Sequence, residues 1–455
     1  MLRSALVGGL VLICLGGVAP GQFASDPRQP IALDPEYRKL DALVSFLRAR
    51  NAEQFAIRSP RGVDEASFVP IGGLEQWVTI RGQDSANPVL LFLHGGPGDV
   101  TSCWTFALFA SWEEHFTVAQ WDQRGAGRTL RKNGHSVAPA LTVDRMAEDG
   151  IELAEYLRKR LGKDKIILVA HSFGSLLGLG MVRTKPDLFY AYVGTGQVAD
   201  ETKNYAAAYD ALLRKARATG NQRATDELTK IGPPPYSDGK GYRVQWKWAN
   251  LFEGADGFLR STLGLPLIAP GCSVEDINDS TAGQSLSAEQ LVPQTRSRGP
   301  KELGLKFSVP MFFFQGAEDF TAPTALARDY LAALKAPARN LSQSRARGTS
   351  RYLCILISFW RNSSGGFAPW PLGVERQHFA TWWFRRANYP GDRTPGNIFR
   401  SAKAPNISNF RGVPEPPLSL RNPVFLLAHA IPWSGGTDIS TCTEPISARW
   451  GRKGE

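Results

Sequence analysis

Cysteine and histidine are scarce in this chain, with five and six of them among 455 residues. Apart from Cys14 near the start of the chain, the cysteines Cys103, Cys272, Cys354 and Cys442 lie far apart, and no short metal-binding spacing of cysteine and histidine occurs among them. The sequence therefore carries no metal-binding signature and no firm disulfide framework. Internal repeats are also absent, so the fold must be read from the order of its strands and helices.

Acidic residues are depleted in only one region. The chain carries a net charge of +11, and residues 339–455 hold 16 Lys and Arg against six Asp and Glu. That segment accounts for ten of the eleven charges, and the remainder of the chain is close to neutral. A nucleic-acid partner is therefore not expected.

Ala5–Val18 is an unbroken apolar stretch, too short for a comfortable membrane span. Arg3 precedes it, and small residues follow at Gly21 and Ala24. This pattern is typical of a signal peptide over residues 1–24, and it predicts a periplasmic or secreted protein. No stable membrane insertion is expected beyond this segment, although an uncleaved signal acting as an anchor is the alternative.

Apolar strands alternate with amphipathic helices along most of the chain. Pro88–Leu93 and Thr117–Trp121 read as buried strands, Val143–Leu161 as a helix, and Ile166–Val169 as the next strand. This alternation predicts an α/β protein with a mainly parallel sheet covered by helices on both faces. Strands are also expected at Tyr190–Gly196 and Val309–Gln315.

The same reading divides the chain into segments. A helical extension covers residues 25–64, the core covers residues 65–197 and 301–338, and a helical cap over residues 198–300 interrupts the core. Residues 339–455 are dense in Arg, Pro, Gly and Ser without sustained periodicity. We interpret them as a translated frameshift, with a genuine C-terminal extension as the alternative; the segment Tyr352–Trp360 is the one candidate strand within them.

The segment KIILVAHSFGS, residues 165–175, has the strand–turn–helix pattern of a nucleophile elbow. Small residues at Ala170 and Gly174 flank Ser172, which would stand exposed on a strained turn. The amides of Phe173 and of Gly96, in the glycine-rich loop after the PVLLFL strand, are the candidate oxyanion donors. The alternative without a catalytic role is an ordinary strand-to-helix turn.

A serine nucleophile needs a base that takes its proton and an acidic residue that orients this base. Asp319 follows the strand after the insertion, where this acidic residue is expected, and Glu318 is the second candidate. Three segments together, HGGPG at His94–Gly98, WDQRGAGR at Trp121–Arg128 and the Ser172 turn, resemble the prolyl aminopeptidases (proline iminopeptidases) of the α/β-hydrolase superfamily. The resemblance covers roughly residues 65–338. It implies an α/β-hydrolase fold with a helical cap and the same nucleophile, acid and oxyanion donors. The resemblance also suggests Glu253, in the segment WANLFEGA, as the residue that binds the amino terminus of the substrate. The sequence offers no evidence for a cofactor, and this chemistry needs none.

The chain departs from this family in two places. Ala170 replaces the first glycine of the elbow, and no histidine occurs in the window of residues 340–352, where the base is expected. His94 and His171 belong to motifs, and His115 and His135 precede the elbow. The downstream histidines are His378, which lies 59 residues past Asp319 and is the candidate base, and His429.

These observations favour an exported serine hydrolase that releases N-terminal residues, preferably proline, from short peptides. An esterase on the same scaffold is one alternative, because the fold does not fix the substrate. A catalytically impaired product that lacks its base is another. Epoxide hydrolysis and dehalogenation are disfavoured, because those enzymes carry aspartate at the position of Ser172.

Overall fold

A computed structural model describes residues 35–236, 239–253 and 264–344 of the chain. The predicted signal peptide, the candidate histidines His378 and His429, and the tail beyond residue 344 lie outside the described residues. Residues Leu47–Ser344 belong to one compact unit, whereas Pro35–Phe46 at the start of the first helix belongs to a second unit.

An eight-stranded sheet forms the centre of the fold, in the order β1-β2-β4-β3-β5-β6-β7-β8. The strands are β1 Val63–Ile71, β2 Leu74–Gly82, β3 Val89–Leu93, β4 Thr117–Trp121, β5 Ile166–His171, β6 Phe189–Thr195, β7 Met311–Gly316 and β8 Arg339–Ser344. Strands β1 and β2 are antiparallel to their neighbours, and the pairs from β4 onward are parallel. The predicted α/β fold with a mainly parallel sheet is confirmed.

Helices cover the sheet and form the insertion. They are α1 Pro35–Gln54, α2 Ser102–Thr105, α3 Ala110–Glu113, α4 Gly127–Asn133, α5 Val143–Leu161, α6 Gly174–Thr184, α7 Glu201–Ala218, α8 Gln222–Ile231, α9 Gly239–Glu253, α10 Leu265–Ile268, α11 Val274–Thr295, α12 Pro300–Leu303 and α13 Thr324–Ala333. Short 3₁₀ turns lie at His135–Ala140 and Pro186–Leu188. None of the helices in this part of the chain is long and apolar enough to cross a membrane.

The central strands are buried on both faces because their side chains are almost entirely apolar. All residues of β3, β4 and β7 are buried, and so are the first five of β5. One apolar cluster packs between the sheet and helices α5 and α6, and a second packs on the opposite face around Phe109 and Trp112. Burial on both faces is what continuous apolar strands of a parallel sheet require.

The second half of the core extends further than the sequence indicated. Strand β8 pairs with β7 in parallel, from Met311↔Arg339 to Gly316↔Ser344, so the core does not end at residue 338. Of the side chains in β8 only Leu341 is apolar, and the strand lies at the edge of the sheet. Its backbone hydrogen bonds hold it there, which an apolar pattern cannot reveal.

The described parts of the insertion between β6 and β7 are helical. Helices α7, α8 and α9 share an apolar cluster that also includes Phe320 from the loop after β7. A disulfide joins Cys103 in α2 to Cys272, just before α11, and so links the first part of the core to the insertion. The spacing of the two cysteines, 169 residues apart, carried no signal of this bond.

Candidate active site

Ser172 stands on a sharp turn between β5 and α6, with φ at 50°, the one positive value among the described residues other than glycine. Its amide donates to the Thr195 carbonyl of β6 over 2.9 Å, which fixes the turn against the neighbouring strand. A β-carbon added to Gly174 would lie 2.5 Å from the His94 carbonyl oxygen, so only glycine fits there. The turn therefore has the strained geometry expected of a nucleophile elbow.

Ala170 occupies the place of the first elbow glycine without disturbing the turn. Its side chain is fully buried and faces Gly178 of α6, where an added β-carbon would come within 3.0 Å of the Ala170 methyl. Gly178 therefore supplies the room that the methyl group takes up.

The glycine-rich loop after β3 lies directly against Ser172. A β-carbon added to Gly95 would lie 2.9 Å from the Ser172 β-carbon, and Gly96 adopts φ at 109° with its backbone exposed to solvent. Phe173, the other predicted donor, directly precedes α6. Phe173 thus follows the serine directly in the chain, and Gly96 follows Gly95, which lies against the serine.

The DQRGAGR segment holds this loop in place. The Gln123 side chain donates to the His94 carbonyl over 3.1 Å, and the Gln123 amide donates to His94 Nε2 over 3.3 Å. Burial lowers the pKa of His94 to about 4, so its ring is neutral at pH 7 and can accept that bond. His94 therefore acts as a link between the two motifs.

Arg124 of the same segment forms a buried ion pair with Asp149 of α5, at 2.7 Å. It also donates to the Gly72 carbonyl in the β1–β2 turn over 2.8 Å. Arg124 therefore fastens the hairpin to the core and lies in a structural network.

His171 precedes the serine, and its Nδ1 lies 2.9 Å from the Thr195 hydroxyl. Burial lowers the pKa of His171 to about 4. A base of that strength is mostly unable to hold a proton at pH 7, because the protonated ring is destabilised. His171 is therefore a neighbour of the nucleophile held in place by Thr195.

Asp319 lies in the loop after β7, only 5% exposed. Its Oδ1 accepts the amides of Thr321 and Ala322, over 3.0 and 2.7 Å. The second candidate acid, Glu318, instead pairs with Lys215 of α7 at 2.7 Å. Of the two, Asp319 has the enclosed and oriented carboxylate that a triad requires.

Ser172 and Asp319 share the carboxyl edge of the sheet, with only β6 between their strands. Two strand spacings separate the strand ends by about 10 Å, a gap that two side chains and one imidazole can fill. No histidine occurs between Asp319 and Ser344.

Glu253, at the end of α9, contacts the same acid loop. It is 2% exposed, and its Oε1 accepts the Phe320 amide over 2.8 Å and the Thr321 amide over 3.0 Å. Burial and the nearby charge of Asp319 raise the pKa of Glu253 to about 8. The sequence indicated this residue as a cap carboxylate but gave no sign that it meets the acid loop.

Known proteins are similar in sequence to this chain. The Bacillus subtilis protein named Probable aminopeptidase YbaC is 29% identical over 282 residues, which cover 60% of this chain and 86% of that protein. A proline iminopeptidase of Saccharolobus solfataricus is 32% identical over 116 residues, covering 25% of this chain and 35% of its own.

Two solved structures are similar to this chain over most of their own length. A proline iminopeptidase-related protein from Thermus thermophilus has a TM-score of 0.43 at 20% identity and covers 62% of this chain and 89% of its own. The proline iminopeptidase of Mycobacterium smegmatis has a TM-score of 0.43 at 16% identity, with 71% and 99% covered.

A family model described as the alpha/beta hydrolase fold matches residues 88–343. The matched segment is more than half of the chain, and it contains both glycine-rich loops, Ser172 and Asp319. The chain therefore belongs to the alpha/beta hydrolase fold family.

Proposed function

We propose that the protein is a serine hydrolase that releases N-terminal residues, proline preferred, from short peptides through an acyl-enzyme. The observation that supports this most is the position of Ser172, on a positive-φ turn against the Gly95–Gly96 loop and two strands from Asp319. The names of the similar proteins from Bacillus subtilis and Saccharolobus solfataricus support the aminopeptidase assignment and the preference for proline.

The reaction begins when the Ser172 hydroxyl attacks the carbonyl carbon of the first residue and passes its proton to a histidine. The amides of Gly96 and Phe173 stabilise the resulting oxyanion. The imidazolium then protonates the leaving amine, the peptide bond breaks, and water hydrolyses the acyl-enzyme by the same route. Asp319 orients the imidazole and stabilises its charged form. The chemistry needs no cofactor.

The histidine that acts as the base is the part of this proposal that lies furthest along the chain from Ser172 and Asp319. We assign it to His378, with His429 as the second candidate, because these two histidines lie downstream of Asp319. His378→Ala is expected to lower turnover by about 10⁴-fold or more, as loss of a triad base does, with His429→Ala as the matched control. An unchanged turnover in His378→Ala, together with a loss of turnover in His429→Ala, would identify His429 as the base.

Glu253 is proposed to bind the ammonium group of the substrate. Its charged form is disfavoured by burial and by Asp319, and a cation placed beside it would offset these two effects. A substrate without a free amino group lacks this compensation. This difference accounts for a preference for N-terminal residues over internal ones.

Export is proposed from the signal-like segment Ala5–Val18 together with the Cys103–Cys272 disulfide. Structural disulfides persist in oxidising compartments and are rare in the cytosol. Fractionation of cells that express the full chain, with sequencing of the mature N-terminus, tests this. Recovery of uncut chain from the cytosol alone would contradict it.

Activity on proline p-nitroanilide, compared with activity on a short-chain p-nitrophenyl ester, tests the substrate class. The proposal predicts cleavage of the anilide that disappears in Ser172→Ala and is blocked by N-acetylation of the proline. Cleavage of the ester alone would identify an esterase. Cleavage of neither by a folded sample would identify a chain without a working base.

A further inference from the structure

Helix α11 of the cap lies between the two glycine-rich loops with almost no space on either side. A β-carbon added to Gly98 would lie 2.5 Å from the Gly283 carbonyl oxygen. A β-carbon added to Gly283 would in turn lie 3.0 Å from the α-carbon of Ala126. The helix backbone therefore touches the HGGPG loop on one side and the turn at residues 125–127 on the other.

Polar contacts fix the helix in the same place. The Gln284 side chain donates to Asp99 Oδ1 over 3.0 Å, and the Ser287 hydroxyl donates to the Gly125 carbonyl over 3.4 Å. Asp99 in turn donates its amide to the Gly95 carbonyl over 3.3 Å. The loop that carries Gly96 is thus closed on itself and bonded to α11.

The start of α11 is anchored to the core. Cys272 precedes the N-cap residue Ser273, and its disulfide reaches Cys103 in α2, the helix that follows the HGGPG loop. Asp276 in the first turn accepts two hydrogen bonds from Arg128, over 2.9 and 2.7 Å, and one from Arg131 over 2.8 Å. A covalent bond and a partly buried ion-pair cluster therefore hold this end of the helix.

We propose that α11, held by the Cys103–Cys272 disulfide, positions the oxyanion loop, and that Gly283 is the positioning residue at the contact. The inference rests on the proposed function in one respect, the use of the Gly96 amide as an oxyanion donor. The positioning itself is a property of the fold and can be measured without substrate.

The expected effect on catalysis follows from the geometry that an oxyanion hole requires. Its donors must lie about 2.7–3.1 Å from the developing charge, and loss of one donor lowers kcat by about 10²–10³-fold. A valine at position 283 places its β-carbon and two methyl groups against the turn at residues 125–127, so α11 must move away from that turn. The HGGPG loop touches the other side of the helix at Gly98, so it must shift with the helix. We expect the contacts to substrate outside the oxyanion hole to remain, so KM should change little.

Hydrogen exchange of the amides at residues 94–101, measured by mass spectrometry, tests the proposal in the full chain. Three variants are compared with the wild type: Gly283→Val, the pair Cys103→Ser and Cys272→Ser, and Ala282→Val as the matched control. Ala282 is the exposed neighbour of Gly283 on α11, so its extra methyl groups meet solvent.

We expect exchange at residues 94–101 to be about tenfold faster in Gly283→Val and in the cysteine pair, and unchanged in Ala282→Val. Exchange within twofold of wild type in either test variant would overturn the proposal. If the variant with both Cys103→Ser and Cys272→Ser does not fold, folded wild type with a reduced disulfide takes its place. Mass mapping then has to show that Cys103 and Cys272 are reduced.

Kinetics separates this proposal from the proposed function. In an active chain, kcat should fall in the two test variants while KM stays near the wild-type value, and faster exchange with an unchanged kcat would overturn the catalytic role of α11. A wild type that hydrolyses nothing would refute the proposed function, and the exchange rates would still decide the positioning.

Discussion

Glu253 gives a quantitative test of how the cap meets the acid loop. Its pKa in the folded chain is raised to about 8 by burial and by Asp319, whereas a glutamate in an unfolded chain titrates near about 4.3. Between these values the folded state keeps a proton that the unfolded state loses. The contribution of this carboxyl to stability is therefore complete below the unfolded pKa and is lost as the pH rises to about 8.

The substitution Glu253→Gln removes this titration and keeps an oxygen for the bonds from Phe320 and Thr321. Each pH unit within the window is worth about 1.4 kcal/mol. From about pH 5 to about pH 8, the wild type should therefore lose about 4 kcal/mol of unfolding free energy that the variant retains. Other buried carboxyls with raised pKa values, Asp122 and Glu201, are present in both proteins and cancel in the comparison.

Urea unfolding of both proteins at several pH values measures this difference. We expect the two stabilities to be close in mild acid and to diverge steadily toward pH 8, with the variant the more stable. A difference that stays constant over the range would refute the raised pKa and the close approach of the two carboxyls. Prolinamide, as an ammonium ligand, should stabilise the wild type more than Glu253→Gln near pH 8.

Three further changes test other parts of the structure. Arg124→Met should lower the unfolding free energy by about 3 kcal/mol, which is the low end for a broken buried ion pair, because Asp149 keeps its bonds to Gln76 and Arg145. The exposed Arg58→Met is the control. An Arg124→Met variant as stable as the wild type would contradict the importance of the ion pair. Ser172→Gly should abolish hydrolysis yet raise stability by about 1 kcal/mol in urea unfolding, because glycine tolerates the positive φ; a less stable variant would argue against strain at the elbow. Gly174→Ala should lower the melting temperature measured by circular dichroism, since its methyl group would meet the His94 carbonyl at 2.5 Å, whereas a melting temperature equal to the wild type's would show that the turn has more room.

The sequence predicted the elements whose signals are local. Thr117–Trp121 is a continuous apolar run, and the structure has a strand with the same bounds. Val143–Leu161 has helical periodicity between a capping Thr142 and a left-handed Gly162, and it is a helix with the same bounds. In both cases the signal lies within the segment or in the residues that flank it directly.

Features that depend on tertiary placement could not be predicted in this way. Strand β8 is polar and is held through its backbone, so it carries no apolar pattern. The Cys103–Cys272 bond and the contact of Glu253 with the acid loop join segments far apart in the chain. The positions of Ser172, Phe173 and Gly96 were easier to anticipate, because each follows a strand end that the sequence marks.

Ser172 is the residue on which the proposed hydrolysis depends most, and a fluorophosphonate probe tests its role as the nucleophile directly. After incubation of folded full-length protein with the probe, peptide mass spectrometry locates the covalent adduct. We predict one adduct, on Ser172, that is absent in Ser172→Ala. A folded sample that takes no label, or takes it at another residue, would contradict the assignment.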